Sequence, residues 1–264
     1  MKILFELITY FIIYSFCGWI IESVFKSICQ RKIINSGFLN GPFCPIYGIG
    51  AIIMYLLLQD FKGNPILIFC LGFVVLSIWE YIVGVLLEKI FKTKYWDYSS
   101  YKYNLQGRVC LTNSIFWGIL GLVFINYVHP FMQTQLSRVD SKIILYADII
   151  LSIYLIVDAI ISMISVLKID QKLKNLEEIN KNIKDRLEEI KLIGKNAEKS
   201  QVENIQKVID ELNHKKDRIR RRLYRRVYRL KKAFPNIKSD KITEILNLKD
   251  ELRKRFKKEE RKDK

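Results

Sequence analysis

Apolar runs long enough to cross a bilayer constrain this chain more than any other feature, since about 20 consecutive apolar residues in a helix span the hydrocarbon. Five segments approach that length: residues 3–25, 42–59, 65–87, 111–128 and 142–167. The second is the shortest and opens on Gly41-Pro42-Phe43-Cys44-Pro45. A re-entrant or interfacial start is one reading of it, because two prolines leave few amide donors to satisfy in lipid. The first segment lacks a basic leader and an Ala-x-Ala-like site, so it reads as a retained span. The expected fold is all-α: a polytopic transmembrane helix bundle of about five spans in residues 1–167, followed by a cytoplasmic coiled-coil or helical tail in 168–264.

Charge divides the chain the same way. Its 264 residues carry a net charge of +17. Residues 1–167 hold 12 Lys/Arg against 9 Asp/Glu, a net of +3, and residues 168–264 hold 32 against 18, a net of +14. Basic residues in membrane proteins collect on the cytoplasmic side. Lys26, Arg31 and Lys32 follow the first span, and Lys89, Lys92, Lys94, Lys102 and Arg108 follow the third. The other side has Lys2, Lys62, Arg138 and Lys142, spread over three segments. With five spans the N-terminus is outside and the C-terminus inside a multi-pass cell-membrane protein.

Glu22, Glu80, Asp148 and Asp158 lie within or at the ends of these spans. A carboxylate near the bilayer centre costs roughly 2.5–3.5 kcal/mol on insertion scales and normally faces a partner or a wet cavity. Helical spacing gives each span one polar stripe: Ser15, Gly18 and Glu22 on the first, Ser77, Glu80, Gly84 and Glu88 on the third, and Asp148, Ser152, Asp158, Ser162 and Ser165 on the fifth. At about 1.5 Å per residue, Glu80 and Asp158 lie roughly 22 Å from the outer ends. Arg108 enters from the inner side. The expectation is a polar path or gate built from Glu22, Glu80, Arg108 and Asp158, with structural helix pairing as the competing explanation.

Two loops have unusual composition. Residues 35–50 are dense in glycine and proline, including Gly41, Pro42, Cys44, Pro45 and Tyr47, which fixes turns feeding the second span or lines a cavity. Residues 95–111 include Trp96, Asp97, Asn104 and Gly107; their aromatics suit a headgroup anchor or, with Trp79 and Trp117, a pocket wall. The five cysteines show no paired spacing, so neither a disulfide framework nor a metal site is expected. Cys44 and Cys110 lack a neighbouring histidine in sequence, which argues against a thiol nucleophile. His129, before Pro130, reads as a helix-end residue.

These loops carry a family resemblance. Cys17-Gly18-Trp19…Glu22, Gly37-Phe38-Leu39…Gly41-Pro42…Cys44-Pro45-Ile46-Tyr47-Gly48, Trp96-Asp97-Tyr98-Ser99 and Asn104…Gly107-Arg108…Cys110-Leu111…Ser114…Trp117-Gly118, with His129-Pro130, resemble the ABC-transporter type IV membrane family (CmpB-like) over about residues 1–165. The chain departs from it at Ser36, where similar proteins often carry a basic residue. The resemblance implies a permease-like subunit. No Gly-x-x-x-x-Gly-Lys-[Ser/Thr] phosphate loop is present, so a separate ATPase subunit is the expected partner, with the 88–110 loop as its docking candidate.

Beyond Ile169, Leu173, Leu176, Ile183, Leu187 and Ile190 recur at coiled-coil spacing with Asn180 in phase, and Ile205, Ile209, Leu212, Ile219 and Leu223 form a second series. Gly194-Lys195-Asn196 could reverse the chain into a hairpin; a continuous helix pairing with a second copy is the other arrangement. Pro235 ends the second helix, and Ser239-Asp240 could cap a third. Residues 215–232 hold eleven Lys/Arg against Asp217 alone. That basic amphipathic helix suits an anionic lipid surface; no base-reading motif accompanies it, which weighs against nucleic acid.

The sequence therefore supports a transport-related membrane subunit without its own ATPase, or alternatively a non-transporting scaffold or regulator recruiting partners through the tail. No nucleophile, metal set or cofactor loop accompanies the carboxylates, so neither an enzyme nor a cofactor is expected.

Overall fold

A computed structural model describes residues 2–193, 199–239, 242, 243 and 245. The turn expected at 194–196 and the cap expected at Asp240 lie outside the described residues. The chain divides into two units, Met1–Met163 with Leu230–Ser239, and Ile164–Arg229 with Asp240–Lys264.

The first unit holds α1 (Lys2–Gln30), α2 (Pro45–Leu58), α3 (Pro65–Phe91), α4 (Leu111–Val123), α5 (His129–Leu136) and α6 (Ser141–Leu167), whose last residues enter the second unit. Among the described residues, four helical stretches are long and apolar enough to cross a membrane: α1, α3, α4 continued through α5, and α6. The segment at Pro45–Phe61, α2 plus a 3-10 turn, is shorter. Its late start follows from Pro45, which fits the first helical turn because its missing N–H would have no partner there. Large apolar side chains such as Ile66, Phe116, Ile150 and Ile153 stand exposed, as lipid-facing side chains do.

α3 packs on α4, and α1 on α2. Both seams use glycine to bring backbones together, the membrane alternative to hydrophobic driving force. A Cβ on Gly48 would stand 2.2 Å from Ser15 Oγ and 2.6 Å from the Phe11 carbonyl; one on Gly72 would face the Gly118 and Gly121 backbones at 3.5 and 3.6 Å. Tyr10, Tyr14, Met54, Leu58, Ile68, Leu76, Phe124 and Ile125 form the main core, and Ile12, Leu39, Phe43 and Leu155 a second one against α6.

His129 is not at a helix end. The helix continues to Leu136 through a π-helical turn at Phe124–Val128, in which the His129 N–H bonds to the Phe124 carbonyl. The wider turn accommodates Pro130, which would otherwise break a regular ladder. His129 is buried, with Nδ1 hydrogen-bonded to the Tyr14 hydroxyl at 2.9 Å.

In the second unit, α7 (Ile169–Ile193) and α8 (Lys199–Ala233) share one apolar cluster of Ile179, Ile183 and Ile209, flanked by Ile190, Ile205, Leu212 and Ile219. Leu187 is exposed and Ile179 is buried in its stead. Asn180 is half-buried and the apolar Ile179 beside it takes the buried position, since it is the side chain that gains from leaving water.

Candidate functional site

The α3 stripe faces α4. Glu80 is 5% exposed. Its Oε1 accepts from Asn113 Nδ2 (2.8 Å) and the Tyr98 hydroxyl (3.1 Å), and its Oε2 from Asn113 Nδ2 (2.8 Å) and Trp117 Nε1 (3.0 Å). Asn113 and Trp117 are one turn apart on α4 and so share a face. Ser77 and Ser114 continue the seam with a 2.6 Å hydrogen bond. Every group on Glu80 is a neutral donor, and no cation reaches it among the described residues.

Arg108 pairs instead with Glu88, at 2.7 Å from Nη2 and 3.1 Å from Nε to Oε2, and lies over the Tyr81 ring. Arg108, expected within the Glu22, Glu80 and Asp158 group, is thus engaged by a carboxylate outside it. Glu88 stands two turns beyond Glu80, about 12 Å along the same stripe, level with the turn at residues 106–108 from which Arg108 projects. The stripe does act as one surface, with Gly84 against the Arg108 side chain at 3.5 Å.

The α1 stripe faces α2. Glu22 Oε1 pairs with Lys26 Nζ at 2.5 Å, and its Oε2 accepts from the Cys44 thiol at 3.5 Å. Lys26 also donates to Ser36 Oγ at 3.0 Å. Tyr47 packs against Gly18 of α1, one turn before Glu22, with its ring 6.3 Å from that of Trp117. Tyr47 thus stands between the helix that carries Glu22 and the Trp117 indole that donates to Glu80.

Asp158 belongs to another group. It is 7% exposed, and accepts from the Gly41 N–H (2.7 Å), the Asn40 N–H (3.2 Å) and Asn40 Nδ2 (3.0 Å), with Ser162 beside it. It fastens the 31–44 loop to α6. Asp148 is likewise held by Thr9 at 2.6 Å on α1. The four expected residues therefore share no hydrogen-bond partner: Glu22 holds Lys26 and Cys44, Glu80 holds Tyr98, Asn113 and Trp117, and Arg108 and Asp158 brace their own neighbourhoods.

The 92–110 loop sets the position of Tyr98. A short hairpin pairs β1 (Asn104–Leu105) with β2 (Val109–Cys110). Asn104 Oδ1 accepts from the Gly107 N–H at 2.9 Å, and the Tyr98 N–H bonds to the Gly107 carbonyl at 2.8 Å. Trp96 Nε1 donates to the Arg108 carbonyl at 2.9 Å, and Trp79 Nε1 to the Ile46 carbonyl at 3.1 Å. These indoles brace backbone rather than reaching into water. Burial would raise the Asp97 carboxyl, but hydrogen bonds from Lys238, Ser99 and Lys94 outweigh it and hold the group below the usual carboxylate range. Burial first, then the Glu80 charge, pushes the Tyr98 hydroxyl above the ordinary phenol value, with Cys110 and Glu22 adding to the effect.

Residues 9–163 match the family model described as "Putative ABC-transporter type IV". The chain belongs to this family. The match covers the helices and loops that carry Glu22, Tyr47, Tyr98 and Glu80 and excludes α7 and α8. No curated protein and no solved structure matches the chain.

Two partners went unread in the sequence. Lys26 lies four residues after Glu22, a spacing that pairs charges on a helix. Asn113 is a polar residue in the first turn of a span, the same signal that marks the carboxylates.

Proposed function

We propose that this ABC-transporter-related chain is a permease-like transport subunit, driven by a separate ATPase, with the Glu22–Tyr47–Tyr98–Glu80 cluster as part of its path or gate. One observation carries this reading: a carboxylate inside a membrane helix, buried and ringed by Tyr98, Asn113 and Trp117, with no counter-charge among the described residues. A purely structural role is served more cheaply by an uncharged residue. Held as an acceptor by neutral donors, such a group can take up a proton or a cation without breaking an ion pair. The reading takes five crossings with α2 as the short one, the N-terminus outside, and the 92–110 loop facing the cytoplasmic ATPase.

The alternative is a scaffold that recruits partners through a coiled coil formed by α7 and α8, whose basic residues would meet anionic lipid. The shared apolar cluster of those two helices supports it. Crosslinking in native membranes followed by purification separates the two. Transport predicts a nucleotidase recovered with the chain and still recovered with Glu80→Gln, while function is lost. Scaffolding predicts full function of Glu80→Gln and loss when α7 and α8 are removed.

A further inference from the structure

The ten residues Leu230–Ser239 return to the membrane unit and lie across the loops that carry the site. Lys26, already on Glu22, donates to the Ala233 carbonyl and sits 4.9 Å from the centre of the Phe234 ring. Gln30 donates to the Lys232 carbonyl at 3.2 Å. These are carbonyls at the C-terminal end of α8, which have no helical partners of their own and attract positive charge. Phe234 meets Tyr95 edge to face at 5.0 Å, and Tyr95 in turn packs on Phe38 and Phe91. Lys238 exchanges both backbone hydrogen bonds with Lys94 (3.0 and 2.8 Å) and forms an ion pair with Asp97.

The segment therefore engages the layer behind each carboxylate. At one end Ala233 and Phe234 hold Lys26, which holds Glu22, which holds the Cys44 thiol. At the other end Lys238 holds Asp97, the residue before Tyr98, which holds Glu80.

We propose that Leu230–Ser239 is an intramolecular strap closing the loop-bearing face of the Glu22–Cys44 cluster, latched by Lys238 on Asp97 and by Phe234 on Lys26 and Tyr95. Releasing the latch frees Lys26 and loosens the Tyr98 loop together, so one movement opens the site from both sides. Its use as a gate rests on the transport reading, whereas its closure does not.

The full-length protein in lipid nanodiscs is treated with N-ethylmaleimide, and labelling of each cysteine is followed by peptide mass spectrometry. Cys44 is buried and Cys29 exposed, so Cys29 serves as the internal reference. The double variant Phe234→Ala/Lys238→Glu is expected to raise Cys44 labelling about tenfold relative to Cys29, the population change produced by losing one cation–aromatic contact and one ion pair. Lys238→Arg is expected to leave it unchanged. Unchanged Cys44 labelling in the double variant overturns the strap.

A second measurement needs no variant. Carbodiimide treatment of the wild-type chain should join the Lys238 amine to the Asp97 carboxyl. Recovery of Lys94–Asp97 crosslinks without Lys238–Asp97 crosslinks overturns the proposal even where the double variant fails to fold. Neither readout involves transport, so failure of the strap and failure of the transport reading are separately visible.

Discussion

Replacing Glu80 by Leu should cost far more stability than replacing it by Gln. The carboxylate accepts from three side chains, Asn113, Trp117 and Tyr98, at 2.8–3.1 Å. Leu removes both acceptors and leaves three buried donors unmatched, each costing about 1–3 kcal/mol. Relief of the buried charge offsets part of this, and a net loss of about 2–4 kcal/mol remains. Gln keeps one acceptor and nearly the same shape, but turns an NH2 group toward a donor, for about 1–2 kcal/mol. Equilibrium unfolding in mixed micelles, followed by tryptophan fluorescence, measures both. Combining Glu80→Leu with Trp117→Phe should cost less than the sum of the two, because the unmatched indole N–H is gone. A Glu80→Leu protein as stable as wild type, or strict additivity with Trp117→Phe, would refute the reasoning.

Other consequences follow from the same contacts. Gly48→Ala should destabilise by about 1–3 kcal/mol through overpacking against the Phe11 backbone, while Gly50→Ala, whose nearest neighbour would be 3.7 Å away, should be tolerated; the same unfolding assay compares them. Asp158→Ala removes the acceptor for Asn40 and Gly41, so trypsin should cut at Arg31 and Lys32 faster than in wild type at equal helicity. The Asp97 carboxyl is depressed in the folded state. Its contribution is therefore complete above the unfolded value near 4 and is lost only as pH falls through the lower folded value. Hydrogen exchange at the Ser99 amide, which donates to Asp97 at 3.1 Å, should stay protected from pH 7 to about pH 4.5; loss of protection with a midpoint above 4.5 contradicts the assignment.

The helical stripes were legible because period and composition agree. Ser77, Glu80, Gly84 and Glu88 face α4 and the strand leading into it, and Ser15, Gly18 and Glu22 face α2, as spacing alone requires. Pairing between stripes was not legible. Glu80 and Glu88 lie on one face, and only the height of the turn that carries Arg108, just before β2, decides which of them it meets. The continuation past His129 was hidden by Pro130, since a π-helical turn leaves no mark in apolar periodicity. The return of Leu230–Ser239 to the membrane unit was equally hidden: Phe234-Pro235 reads as a helix stop, and a stop does not say what the chain lands on.

The most direct test of the proposed Glu22–Glu80 site compares small-molecule content in cells that lack the native chain and express wild type, Glu80→Gln or Glu22→Gln at equal membrane levels. A solute that accumulates or disappears only with the wild-type chain is the predicted outcome. Indistinguishable profiles for wild type and both variants, with any chain-dependent solute retained, would contradict it.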